Sequence, residues 1–319
     1  MIVLLTTAGH MKTHLHCRQW ASVKVTVLPY HRVLSSRRLP RATYIFADMD
    51  RLGFWELELS ARLCRLLRAA GMRTLNDPAV VMQRFALLRA LKREGRNDFQ
   101  VYRVDDDESP NRFPVFLRTE SAHRGTQSQL LHTQADIEAA VSSATDRGIP
   151  RKELLLVEYC AEPVADGLFR KLSGYRVGRR MVPAIAVHDS SWHAKTGTLG
   201  IADAKTYEDE FASVTENRYG EMLRPYFDVA HVDYGRADFG FACGKPQVYE
   251  INTNPHIKTV KSHPYPSRIA AARLSLELLE QAFAEIDTDA VSGTVSIDDE
   301  VLARQRRLDR WTFGPRWTP

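Results

Sequence analysis

The sequence predicts an α/β (α+β) protein built from more than one layered unit. Three observations carry this. Residues 1–103 alternate short apolar strands with amphipathic helices. Leu154–Val157 is a continuous apolar run, the pattern of a strand covered on both faces. Residues 232–257, VDYGRADFGFACGKPQVYEINTNPHI, alternate polar and apolar residues on either side of a CGKP turn, the pattern of a β-hairpin.

The elements follow in order. MIVLLT reads as a first strand rather than a leader peptide, since no basic segment precedes its short apolar run. KVTVLPY and TYIFAD are the next strands, separated by the basic, turn-rich HRVLSSRRLPRA. WELELSARLCRLLRAAG has helical apolar spacing and a glycine stop, with Arg62, Arg65 and Arg68 opposite its leucines. A further helix is expected from Asn76 or Asp77 as cap, with Pro78 in its first turn, ending near Gly95. FQVYRV is a strand, and the acidic DDDESPNR at 105–112 reads as a linker. FPVFLRT is a strand before a polar loop, a helix runs from Gln134 to about Arg147, and RKELLLVEYC is the buried strand. LFRKLSGYRVGRRMVPAIAVHD reads as a strand pair, YEDEFASVTENRYGEMLRPYF as helical, and a helix runs from about Ser267 to Ile286. The remaining tail is polar, then rich in Arg and Trp.

Composition narrows the class. A chain of 319 residues exceeds a typical single core, so two or three domains are expected. Residues 1–103 hold 18 Lys and Arg against 7 Asp and Glu, a net +11, and the other 216 residues carry −6. A solvated helix face accounts for much of the basic excess, and the first third lacks the aromatic interleaving of a nucleic-acid stacking platform. Four dispersed cysteines form no CxxC pair, which argues against a disulfide framework or a zinc site. No apolar run approaches the ~20 residues of a membrane span, so a cytoplasmic protein with no membrane partner is expected.

The hairpin carries the chemistry. Side chains two apart on a strand share a face. Arg236, Asp238 and Gly240 therefore point one way on the first strand, and Glu250, Asn252 and Asn254 point one way on the second. The two sets meet when paired residue numbers sum to an even value, for instance with Asp238 opposite Asn252 and Glu250 over the bare Gly240. The result is two carboxylates and an amide carbonyl beside an arginine, hard oxygen donors of the kind Mg²⁺ takes together with phosphate oxygens. Two carboxylates this close repel unless a cation lies between them.

On these residues, RAD followed by EINTNP, the chain resembles the ATP-grasp superfamily over roughly residues 20–285. The resemblance implies an N-terminal pre-ATP-grasp α/β domain (1–108), a small lobe with phosphate loop and hinge (109–160), a large lobe with the metal hairpin (161–287) and a C-terminal tail (288–319). Two lobes would grip ATP. Asp238, Glu250 and Asn252 would hold Mg²⁺, and Arg236 would face the transferred phosphoryl or acyl intermediate. The helix after NDP would close the preceding domain. In the hinge, backbone groups of Glu158, Tyr159 and Cys160 would meet adenine, with Glu162 or Asp166 near the ribose. Arg118 stands where the family has a phosphate lysine, a departure because guanidinium and ammonium differ in geometry. His123 and Gly125 belong to the phosphate loop, Lys171 is the favoured phosphate ligand, and Lys195 with Trp192 would line a loop near the site. His193 reads as a hydrogen-bonding loop residue. Asn254 and His256 would approach substrate, acceptor recognition would fall to the first domain and the 254–263 loop, and DMDR at 48–51 reads as a strand-to-helix turn capped by acids, with a lip of the acceptor site as the alternative. The implied reaction is ATP-dependent joining of a carboxylate to an amine through an acyl-phosphate, on a small-molecule or peptide-like substrate. Catalysis would rest on Arg236, Lys171 and Arg118. A small-molecule kinase and a catalytically silent ATP-binding protein remain open. Many relatives pair, so a homodimer is a further expectation.

Overall fold

The computed structural model describes residues 1–106, 108–121, 124–195, 197–257, 259–287 and 293–311. Its elements are β1 (Ile2–Thr6), β2 (Val25–Pro29), α1 (Tyr30–Leu34), β3 (Arg38–Pro40), β4 (Thr43–Phe46), α2 (Phe54–Ala69), β5 (Thr74–Leu75), α3 (Arg84–Arg93), β6 (Val101–Arg103), β7 (Val115–Thr119), α4 (Gln134–Asp146), β8 (Leu154–Glu158), β9 (Phe169–Val177), β10 (Arg180–Pro183), β11 (Val187–Asp189), α5 (Ala204–Thr215), α6 (Gly220–Ala230), β12 (Tyr234–Ala242), β13 (Lys245–Asn252), α7 (Pro266–Ile286), β14 (Thr294–Ser296) and α8 (Glu300–Trp311).

Three main sheets organise them. The first is parallel, in the order β2-β1-β4-β5. The second is antiparallel, β6-β8-β7, and α4 packs on it through Ile137, Val141 and Ala144. The third is antiparallel, β10-β9-β12-β13, with β11 also on β9. β12 lies between β9 and β13, and its paired residues share a face with theirs. One face therefore carries Lys171, Ser173 and Tyr175 of β9, Arg236 and Asp238 of β12, and Glu250 and Asn252 of β13. The other carries Ala237, Phe239 and Val248, which pack with Leu223, Tyr226 and Phe227 of α6 in a buried cluster. Apolar burial on that side drives the sheet onto its helices and fixes which face is left polar.

Several boundaries differ from the sequence reading. The 105–112 segment connects β6 to β7 within one sheet and is not an interdomain linker. The second sheet thus begins before residue 109. The helix after NDP starts at Arg84, because Asp77 accepts the Ala79 N–H and forms a turn there instead. That helix, α3, does not close the preceding domain. Its Leu87, Leu88 and Leu91 join the cluster under β12 and β13. Part of the tail is also structured: β14 pairs with β3, and Leu302 of α8 lies in the first unit's core.

Asn76 has a left-handed backbone (φ 61) and is fully buried. Its Nδ2 donates to the carbonyls of Phe46 and Tyr234, at 2.9 and 2.8 Å. Its Oδ1 accepts from the N–H groups of Asp233 and Tyr234, at 2.8 and 2.9 Å. One amide thus ties the first sheet to the strand that carries the polar face. Asn76→Ala strands buried backbone groups and should cost about 3–5 kcal/mol, read by denaturant unfolding.

Candidate active site

A cavity of about 490 Å³ lies against the polar face of the third sheet and reaches to the second. Arg118, Lys171, Arg236, Asp238, Glu250 and Asn252 line one part of it. Glu158, Tyr159, Cys160, Glu162 and Trp192 line another.

At the polar end the hairpin pairs Asp238 with Glu250 and Arg236 with Asn252. The register keeps the expected even sum, so all three oxygen donors share one face. The individual partners differ from the sequence reading, which set Asp238 against Asn252. A bulge between Asp238 and Phe239 shifts the ladder. Gly240 consequently opposes Gln247, and the Tyr249 hydroxyl fills the space above it: a Cβ there would lie 2.6 Å from that oxygen.

Each carboxylate is held by cations. Arg236 Nε and Ser173 Oγ donate to Asp238 Oδ1 at 2.8 and 2.9 Å, and Lys171 Nζ lies 3.3 Å from Oδ2. Burial raises the Asp238 carboxyl, but Arg236 and Lys171 outweigh it and hold the group below the usual carboxylate range. Burial likewise opposes the charge on Arg236, yet Asp238 and Tyr175 hold its guanidinium above its ordinary range. Arg84 Nη2 and Arg118 Nη2 both reach Glu250 Oε2, at 2.7 and 2.8 Å. Burial, then Arg84, lowers the Arg118 guanidinium to about 10, against the pull of Glu250.

Arg84 is the principal residue that sequence reading missed. A signal existed. It is the first residue of a helix, where the macrodipole disfavours a cation. The cost is met by Glu250 and by the carbonyls of Thr119 and Glu120, at 2.6 and 2.7 Å. Ser173, Tyr249 and Phe116 are further lining or bracing groups that periodicity alone did not mark.

The loop after β7 folds back on its strand, with the Gln127 N–H 2.6 Å from the Leu117 carbonyl. Gly125 turns it with φ 84, against the tip of Lys195. Lys195 Nζ reaches the Arg124 carbonyl at 3.4 Å. His123 lies outside the described residues. Beside the end of β8, Trp192 packs on Phe116 (4.8 Å between centroids) and edge-on to Tyr159 (5.6 Å). His193 bonds Ser191 at 2.8 Å, as a loop residue would.

Several expected hinge and substrate groups have other partners. The Glu158 carboxylate takes the Gln100 N–H (3.0 Å) and the Tyr102 hydroxyl (2.9 Å). The N–H groups of Glu158 and Tyr159 donate to the carbonyls of Gln100 and Pro114. The Cys160 carbonyl accepts from Tyr249 at 3.1 Å. These bonds do not use the Glu158 carbonyl or the Cys160 N–H. Glu162 lines the cavity and accepts the Cys243 N–H at 3.0 Å, whereas Asp166 is exposed and does not line it. Asn254 and His256 do not line the cavity either. The Asn254 N–H bonds Asn252 Oδ1 at 2.7 Å, and its own Oδ1 lies 2.9 Å from Thr13 Oγ1 on the first unit.

The donor set bears on the expected groups. Two carboxylates and an amide oxygen are hard ligands. Among the described residues no group of three or more His, Cys, Asp or Glu forms a metal site. Four cations surround the two acids, and the buried Arg118 Nε lacks a hydrogen-bond partner. This excess of positive charge with an unused donor suits a polyanion arriving with its divalent ion.

A parallel sheet, an antiparallel small sheet and an antiparallel sheet bearing this polar face make up the ATP-grasp fold. The chain is similar to the solved D-alanine–D-alanine ligase of Coxiella burnetii, at 14% identity and a TM-score of 0.54, over 98% of each chain. It is also similar to the D-alanine–D-alanine ligase of Bacillus anthracis, at 13% identity and a TM-score of 0.53, over 89% of this chain and 98% of that one. At such identities the likeness concerns the fold. No family profile and no curated sequence matches the chain. Among the described residues no helix is long and apolar enough to cross a membrane.

Proposed function

We propose that the protein is an ATP-dependent ligase that joins a carboxylate to an amine through an acyl-phosphate, on a small-molecule or peptide-like substrate. The observation that carries this is the gathering of Asp238, Glu250 and Asn252 with Arg118, Lys171 and Arg236 at one part of a cavity, with Arg84 bracing Glu250 from the adjoining small pocket. The cavity's other part is aromatic, with Phe116, Tyr159 and Trp192 packed together. The ligase neighbours share the fold and support the same reading.

In this reading the adenine meets Trp192, the Glu158 carbonyl and the Cys160 N–H, with Glu162 on the ribose side. The phosphates engage Arg118 and Lys171, while Arg84 stays on Glu250. Asp238, Glu250 and Asn252 are then the residues that hold Mg²⁺, which supplies charge neutralisation and alignment for phosphoryl transfer. Arg236 stays beside the acyl group, where its guanidinium stabilises the oxyanion formed as the amine attacks. Gly125 and Lys195 close over the phosphates. Arg118 in place of lysine is compatible with this, because its fork can serve both Glu250 and a phosphate.

The test uses ATP, Mg²⁺ and panels of free amino acids and dipeptides. ADP and phosphate should accumulate only when a carboxylate and an amine are both present, and the product should gain the amine's mass. A phosphorylated acceptor without condensation would instead identify a kinase. Nucleotide protection against heat with no ADP would identify a silent binder.

A further inference from the structure

The first sheet ends in a polar constellation outside the cavity. β1 is flanked by β2 on one side and β4 on the other, so the chain reverses its winding between β1 and β4. Ligands of open α/β sheets bind beyond the carboxyl ends of the strands at such a point. Thr7 follows β1 there, and Asp48 follows β4. Asp48 is fully buried with a left-handed backbone (φ 60), a conformation that a non-glycine residue keeps only where its surroundings enforce it.

Asp48 Oδ2 accepts from the Thr7 N–H at 3.1 Å, from Thr6 Oγ1 at 3.2 Å and from the Thr7 hydroxyl. Oδ1 pairs with Arg51. The Thr7 hydroxyl, which donates to that carboxylate, lies 2.7 Å from His10 Nδ1. Nδ1 itself lies 3.5 Å from Asp48 Oδ2. With the Thr7 hydroxyl donating to Asp48, the tautomer that completes this order carries its proton on Nδ1, and Nε2 is then the acceptor nitrogen. The His10 side chain is 40% exposed although its carboxylate partner is buried. A buried acid orienting an exposed imidazole is the arrangement of a proton acceptor.

The His10 backbone, rather than its ring, is linked to the hairpin. The His10 carbonyl lies 2.8 Å from Thr13 Oγ1, which meets Asn254, whose N–H meets Asn252. A pocket of about 60 Å³ lined by Met49, Asp50, Arg84, Glu250 and Thr253 separates the Asp48 turn from the back of Glu250. The charged and titratable groups around His10 are Asp48, Asp50 and Arg51 on that turn, His14 on its own segment, and His256 from the loop after β13, which is within electrostatic reach of His14.

We propose that His10, oriented by Asp48 through Thr7, is the proton acceptor for the attacking amine. The inference rests on the ligase reading. His10 Nε2 takes one proton from the acceptor's ammonium and frees its lone pair. The nitrogen attacks the acyl carbon, and an N–C bond forms. The C–O bond to phosphate breaks with its electron pair on the phosphate oxygen. The second proton leaves the nitrogen with that phosphate.

Hydroxylamine distinguishes the half-reactions, because it attacks an acyl-phosphate as a neutral nucleophile and needs no such base. With ATP, Mg²⁺ and the amino-acid and dipeptide panels, amide and hydroxamate are measured for the native protein and for His10→Asn. Asparagine keeps a donor toward Thr7 but has nothing at Nε2. The ratio of amide to hydroxamate should fall about 10²-fold, in kcat rather than KM. His10→Gln, which puts an amide but no base near Nε2, should behave the same way. An unchanged ratio in both variants overturns the role of His10. If the native protein yields neither product with any carboxylate, the ligase reading fails, and this inference fails with it.

Discussion

Glu250→Gln should abolish most turnover and also loosen the protein. Glutamine keeps the shape but removes the negative charge that, in the proposed reading, the site offers a divalent ion. A loss of several kcal/mol of transition-state stabilisation corresponds to at least ~10²-fold in rate. The sequence alone suggests that the fold would be untouched. The structure says otherwise, because Arg84 and Arg118 both lie on Glu250 Oε2. Removing one partner of a fully buried ion pair costs roughly 3–5 kcal/mol, and Glu250, 17% exposed, should lie toward or below the lower end of that range. The variant should therefore melt roughly 5 °C or more below the native protein without ligand. An ATP analogue should restore part of that difference, since its phosphates give Arg118 a new anion. Native activity together with a native melting temperature would remove Glu250 from both roles.

Mild acid should destabilise the fold well before its carboxylates titrate. His14 is buried and its imidazole is lowered to about 3, chiefly by burial, with Asp48 pulling the other way. Burial and the nearby Arg268 and Arg170 lower His188 to about 4. The folded protein thus keeps both rings neutral, while the unfolded chain takes up protons near the ordinary value of 6.5. Above that pH nothing is lost. Below it the unfolded state gains protons first, and each ring costs about 1.4 kcal/mol per pH unit. Together the two amount to roughly 4 kcal/mol at pH 5. The decline ends as each folded value is passed. Asp238, depressed in the fold, adds its own loss only below the ordinary carboxylate value of 3.8. Melting curves from pH 7.5 to 5 measure this directly. His188→Leu should remove about half of the slope and fold normally, because neither ring nitrogen of His188 has a hydrogen-bond partner to strand. A flat profile in the native protein would show that the histidines are not the cause.

Much of the active face was legible in the chain. A strand repeats every two residues, so Arg236 with Asp238 and Glu250 with Asn252 had to fall on common faces whatever their neighbours were. Apolar Phe239, Val248 and Ile251 between them fixed which face was polar. The continuous run at 154–157 likewise announced a covered strand, and the spacing of leucines in 54–69 announced a helix with Arg65 and Arg68 in solvent.

Contacts between distant segments were not legible, because nothing local encodes them. The bulge after Asp238 set the true register of the hairpin. The fold carried Arg84, more than 160 residues away, onto Glu250. It spent Glu158 and two hinge N–H groups on the second sheet, and it turned Asn254 toward Thr13 rather than into the cavity. It also brought His10 and Asp48 together from the ends of two strands. Local periodicity decides which way a side chain points along its own element. Which partner it finds there is decided only when burial of apolar faces brings the elements together.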